Sequence, residues 1–210
     1  MKLFIFDWDG TLSTSTAIVR FSRFFKIRYS PSYIVAHSQL FNKNAAAGRV
    51  DMRVMEREEE KNDIYAKIYE VYSLFAKPKL RRGATELLDA LKESGKKVAV
   101  FTDAKRYRII REIRMNGISR RIDYLLSADT IKAYKPNPTG IEIILKEARV
   151  GKERSVYVGD MASDIFTAKF AGVRSCGVGG GMNSIAALKG AKPDFIFDSL
   201  ESMAKYMERR

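Results

Sequence analysis

From residue 83 onward the sequence alternates between two patterns. Short apolar runs rich in β-formers (KKVAVFTD, DYLLSAD, RSVYVGD, VRSCGVGGG, DFIFDS) are separated by stretches of about ten residues or so with apolar positions at helical spacing. Those stretches are ATELLDALKESG, KRYRIIREIRMNG, PTGIEIILKEARV, ASDIFTAKFAG, NSIAALKGA and LESMAKYM. Strands joined through single helices must run parallel, and their crossover helices cover both faces of the sheet. The opening KLFIFD is another strand of the same buried type. The expectation is therefore an α/β fold, a doubly wound parallel sheet.

Between the first strand and this alternation lies a segment of different character. STAIVRFSRFFKI repeats apolar residues at helical spacing, with Ser15 or Thr16 as a candidate cap. NKNAAAGRV reads as a loop, and 51–76 carries Ile64, Ile68, Val71, Tyr72 and Phe75 on one helical face. The chain thus divides into a core of residues 1–13 and 83–210 and an inserted helical module of residues 14–82.

Composition narrows the function. With 46% hydrophobic residues in 210, a sizeable core can be buried. No apolar stretch approaches the ~20 residues needed to span a bilayer, and the N-terminus carries no secretory pattern, so a cytoplasmic protein without a membrane partner is expected. Cys176 is the only cysteine, which excludes an internal disulfide, and its place on a strand makes it a small buried hydrophobe. His37 is the only histidine, so two-histidine metal sites are excluded. The net charge of +13 suits an anionic partner. It is spread, with 14 Lys and Arg against 7 Asp and Glu in 14–82 and 23 against 16 in 83–210, so no basic tail or arm marks a nucleic-acid binder.

In open parallel sheets ligands bind beyond the carboxyl ends of the strands. Three strands here end in acids or hydroxyls: Asp7 and Asp9 in DWDGT, Thr102 and Asp103 after VAVF, and Asp160 in GDMASD. Alternation along an extended segment sends Asp7 and Asp9 to one side and Trp8 to the other. Gly10 permits a sharp turn or close ligand approach. Asp164 falls in the first turn of the next helix, and Lys135 sits in the rigid segment AYKPNP. Taken singly, each has a structural account: a turn cap, an ordinary strand threonine, an exposed loop lysine, a helix-capping acid.

Together, and in this order, these residues resemble the four short motifs of the haloacid dehalogenase superfamily, carried on a Rossmann-like core. DWDGT (7–11) matches the first, Thr102 the second, Lys135 before a proline the third, and GDMASD (159–164) the fourth. The position and length of 14–82 match the helical cap that some members insert between the first and second motifs. The resemblance implies a Mg²⁺-dependent phosphatase acting on a small phosphorylated metabolite, with phosphoglycolate phosphatases as similar capped proteins. It implies Asp7 as nucleophile and Asp9 as general acid–base. Mg²⁺ would be held by Asp7, Asp160 and the backbone carbonyl of Asp9, with Asp164 orienting a metal-bound water or Lys135. Gly10, Thr102, Asp103 and Lys135 would meet the phosphoryl oxygens. Members that cleave carbon–halogen or phosphonate bonds have tyrosine or alanine in place of an acid at position 9, so Asp9 favours phosphoryl chemistry.

Two alternatives remain open. A phosphomutase of the β-phosphoglucomutase type shares the motifs and cap, and His37 is the only cap histidine that could serve a closing trigger. A non-catalytic nucleic-acid-binding module would use the basic surface, although such modules usually lose the acids that are intact here. GVGGGMN (177–183) lacks G-x-G-x-x-G spacing and shapes a loop rather than a dinucleotide site. Arg49, after Gly48, could touch a substrate's distal group or solvent.

Overall fold

A computed structural model describes residues 1–14 and 79–209 of the chain. The expected helical module, with His37 and Arg49, lies outside the described residues apart from its two ends. Within them, six strands form one parallel sheet in the order β3-β2-β1-β4-β5-β6. These are β1 (Leu3–Phe6), β2 (Lys97–Thr102), β3 (Tyr124–Ser127), β4 (Ser155–Gly159), β5 (Arg174–Val178) and β6 (Phe195–Phe197). The α/β doubly wound expectation is borne out, and each run read as a strand forms one.

The seven helices among the described residues follow the chain order. They are α1 (Ala84–Glu93), α2 (Arg106–Met115), α3 (Ala128–Ile131), α4 (Thr139–Ala148), α5 (Ala162–Ala171), α6 (Ile185–Gly190) and α7 (Leu200–Glu208). Six of them match the sequence reading. The seventh, the single turn α3, is too short for a periodicity to reveal.

β1 is buried along its whole length because both sheet faces are covered. Phe4 and Phe6 point into one core layer with Leu87, Leu88 and Leu91 of α1, Ile109 and Ile113 of α2, and Leu200 and Met203 of α7. Leu3 and Ile5 point into the other, with Ile141 and Ile144 of α4 and Ala168 of α5. This two-residue alternation divides one strand between two cores. Register is parallel throughout: Phe6 lies opposite Val100 of β2 on one side and Val158 of β4 on the other. Chain order therefore reverses across β1, and the carboxyl ends of β1, β2 and β4 meet at that switch point.

The chain leaves β1 through a tight turn. Ser13 N–H donates to Trp8 O and Gly10 N–H to Ser13 O, each at 2.9 Å. Arg81 N–H then donates to Leu12 O at 2.9 Å and Thr14 N–H to Lys79 O at 2.8 Å, which ties residues 12–14 to residues 79–81.

Packing is tight where α4 crosses β2. A Cβ placed on Gly140 would lie 2.2 Å from Phe101 Cε2, and Phe101 is fully buried against Tyr157 with ring centroids 6.2 Å apart. Gly140→Ala gains about 1 kcal/mol of helix propensity, but the overpacking it forces costs about 1–3 kcal/mol. The variant should be destabilised, by up to about 2 kcal/mol net on those figures, and urea unfolding of both proteins checks the sign.

Candidate active site

Asp7 follows β1 directly and is buried. Its Oδ1 accepts from Lys135 Nζ at 2.7 Å, and the same ammonium donates to Asp164 Oδ1 at 2.8 Å. Lys135 reaches this point from the loop between α3 and α4, where the Lys135–Pro136 bond is cis and the Lys135 N–H donates to Asp103 Oδ1 at 3.1 Å. Asp160 follows β4. Its Oδ1 accepts from Thr11 Oγ1 at 2.8 Å and its Oδ2 from Met182 N–H at 2.6 Å. Asp164, in the first turn of α5, accepts the Met161 N–H on Oδ2 at 2.9 Å, so it caps its own helix while facing Lys135.

Glycine creates the room around Asp160. Gly10 has φ +85°, and a Cβ there would fall 2.4 Å from Asp160 Oδ2; one on Gly181 would fall 2.2 Å from the same atom. The turn commits the Gly10 N–H to Ser13, so what Gly10 supplies here is close backbone approach. The glycine run of 177–183 likewise shapes the loop beside Asp160. Arg81 joins the two turns, its guanidinium donating to Gly10 O and Gly179 O at 2.5 Å each.

Burial dominates the electrostatics. It pushes the Asp7 carboxyl well above the usual range, with Asp164 and Asp160 adding to the rise and Lys135 opposing it. It pushes Asp160 up to about 6, with Asp164 adding while the Met182 N–H and Thr11 hydroxyl pull down. Burial alone would lower the Lys135 ammonium, but Asp164 and Asp7 outweigh it and raise it well above its ordinary value. Oxygens of Asp7, Asp160 and Asp164 lie within 4.8 Å of one another. Three buried carboxylates against one ammonium leave negative charge in excess. Oxygen-only donors with that excess fit a hard divalent cation.

The other expected residues surround this cluster. Thr102 ends β2, buried; its Oγ1 accepts the Ala104 N–H at 3.2 Å, which leaves the hydroxyl proton to donate elsewhere. Asp103 is exposed. Asp9 stands apart from the carboxylate cluster and pairs with Arg108 of α2 instead. Cys176 is buried, its thiol pushed up to about 12, in keeping with a packing role.

Sequence reading missed several site neighbours. Thr11 and Arg81 look like an ordinary turn threonine and linker arginine, and only the fold brings them to Asp160 and Gly10. Arg108 and Glu112 lie on a helix that also carries Arg106, Arg111 and Arg114, and nothing local singles them out. One signal was available: a tryptophan between two acids needs a partner for its indole N–H once buried.

Comparison with known proteins agrees with this fold. The sequence model of the haloacid dehalogenase-like hydrolase family matches residues 4–178. "Putative pyrophosphatase PpaX" from Caldanaerobacter subterraneus subsp. tengcongensis is 25% identical over 207 residues, covering 97% of this chain and 93% of that protein. A phosphoglycolate phosphatase from Pseudomonas fluorescens is 25% identical over 218 residues, covering 96% of this chain and 78% of its own. The crystal structure of a "predicted phosphoglycolate phosphatase" from Haemophilus somnus superposes with a TM-score of 0.74 at 23% identity, over 98% of this chain and 97% of that one, and shares the fold. With its motif residues gathered at one switch point and the family matched over most of its length, the chain belongs to the haloacid dehalogenase-like hydrolases.

Proposed function

We propose that this chain is a Mg²⁺-dependent phosphatase that hydrolyses a small phosphorylated metabolite through an aspartyl-phosphate on Asp7. The observation that carries the reading is the buried Asp7 carboxylate, held by Lys135 at 2.7 Å beside Asp160 and Asp164. A phosphomonoester is anionic, and at ~4 Å with an effective dielectric near 20 each unit-charge pair is worth ~4 kcal/mol, so attack by a carboxylate needs compensating positive charge. Mg²⁺ bound by Asp7, Asp160 and the Asp9 carbonyl would supply that charge and screen the transferring group.

The chain's own residues perform the rest. An Asp7 oxygen attacks phosphorus and the bond to the leaving oxygen breaks, with no base required once Lys135 and the bound cation hold the carboxylate ionised against its burial. Asp9, protonated from solvent once it leaves Arg108, delivers that proton to the leaving oxygen, then takes one from the water that attacks the aspartyl-phosphate and regenerates Asp7. Lys135, Thr102 and the backbone at Asp103 hold the phosphoryl oxygens in line. Asp164 keeps Lys135 aimed at Asp7, as its 2.8 Å bond to the ammonium indicates. The inserted segment 14–82, read as a helical cap, would close over the site and select the leaving group. Phosphoglycolate is the substrate to try first, given the relatives' names, with inorganic pyrophosphate second.

An acid at position 9 that can protonate an alkoxide supports phosphatase over dehalogenase chemistry. Phosphate release from p-nitrophenyl phosphate should require Mg²⁺ and stop with EDTA. Asp7→Asn should lower it at least about a thousandfold while circular dichroism stays unchanged, since amide cannot form the covalent intermediate. Retained turnover would sink the nucleophile assignment.

The raised Asp160 carboxyl makes a second, activity-independent test. Because its folded value of about 6 exceeds the ordinary carboxylate value, the folded state binds its proton more tightly than the unfolded chain. Stability from this group is therefore present at low pH and lost as pH rises through about 6. Mg²⁺ should restore it once the proton has gone. Thermal melts should show a larger Mg²⁺-induced rise in Tm at pH 7.5 than at pH 5; no rise at pH 7.5 would count against the metal site.

A further inference from the structure

Behind Asp9 lies a line of buried polar groups that attack by Asp7 does not use. Arg108, in the first turn of α2 with its side chain 7% exposed, sets two amino groups on the two Asp9 oxygens. Nη1 donates to Oδ1 at 3.1 Å, and Nη2 donates to Oδ2. One helical turn on, Glu112 Oε1 accepts from the same Nη1 at 3.1 Å. Glu112 Oε2 in turn accepts the Trp8 indole N–H at 2.6 Å, and Trp8 is fully buried. The segment bearing both acids is thus tied to α2 twice, by the indole on Glu112 and by Asp9 on Arg108.

An i,i+4 pair of Arg108 and Glu112 would already satisfy both charges as a structural element. Bringing in Asp9 adds something else. A forked guanidinium fixes the plane of a carboxylate as well as its position. It also engages one lone pair on each oxygen and holds both as acceptors of positive charge, so the carboxylate takes up a proton for a leaving group more readily once the fork loosens. Glu112 makes that release tolerable. When Asp9 turns away, the buried guanidinium keeps an ionised partner and is not stranded, which would be strongly unfavourable.

We infer that Arg108 is a positioning residue for Asp9, holding its carboxylate in the resting site through a two-toothed pair, and that Glu112, fixed by Trp8, is the standing counter-ion that lets Arg108 release it. This rests on the phosphatase reading, in which Asp9 moves protons.

The test is the leaving-group dependence of kcat/KM with Mg²⁺, from p-nitrophenyl phosphate to phenyl phosphate. This ratio covers steps through aspartyl-phosphate formation, so later water attack does not enter. Nitrophenolate leaves well unprotonated, whereas phenolate gains from an oriented acid. Arg108→Met removes the orientation. Glu112→Gln removes a competing carboxylate, leaves more of the guanidinium charge on Asp9 and tightens its hold. Both variants should lose about tenfold or more on phenyl phosphate and less than about threefold on p-nitrophenyl phosphate, since misplacing a catalytic group costs most where that group is needed. Equal losses along the series, or none, overturn the inference and leave Arg108 a role in the fold or in substrate binding. Should Arg108→Met not fold, Arg108→Lys, which keeps the charge without the fork, decides by the same ratio. Wild-type inactivity on every ester would overturn the phosphatase reading and this inference with it.

Discussion

The Lys135 ammonium touches Asp7 at 2.7 Å and Asp164 at 2.8 Å in a space that also holds Asp160, all of it shielded from water. Charges so placed repel at several kcal/mol per pair for separations near ~4 Å. One cation cannot offset three anions, so the arrangement is stable only with protons or a further cation in place. The surrounding devices follow from this. Thr11 and the Met182 N–H stabilise Asp160, the Met161 N–H stabilises Asp164, and glycines at 10 and 181 let backbone approach where a methyl would collide. The sheet supplies rigidity: three strands buried on both faces deliver Asp7, Thr102 and Asp160 to one place without loop freedom.

Much of this was legible in the residues themselves. Parallel strands buried on both sides read as short apolar runs, and six such runs with helices between them leave few alternatives to a doubly wound sheet. Position in the sheet follows less directly. Nothing local in KLFIFD says that it lies at the centre between β2 and β4, yet that placement assembles the acids. The end of the chain was equally readable, because Ser184 and Ser199 cap α6 and α7 by accepting the Ala187 and Ser202 N–H groups.

What escaped the sequence depends on contacts between distant residues. Arg108 and Glu112 share a helix with Arg106, Arg111 and Arg114, and charge alone cannot say which of these faces inward. The sheet geometry decides it by placing α2 against the turn that carries Trp8 and Asp9. Arg81 is a similar case, separated by 71 residues from Gly10 and 98 from Gly179. Lys135 was readable only through a whole-chain resemblance, since alone it is a loop lysine.

The central place of β1 also has a bearing on how the chain is made. It precedes both of its neighbours along the chain, since one edge pairs with residues 97–102 and the other with 155–159. Four apolar residues and the acid that follows them must wait, without sheet partners, until residues 97–102 and 155–159 have been made. Non-local pairing of this kind slows folding and leaves a strand edge open to wrong partners. A nascent chain that stops short of β4 therefore carries Asp7 without Asp160 and Asp164 beside it.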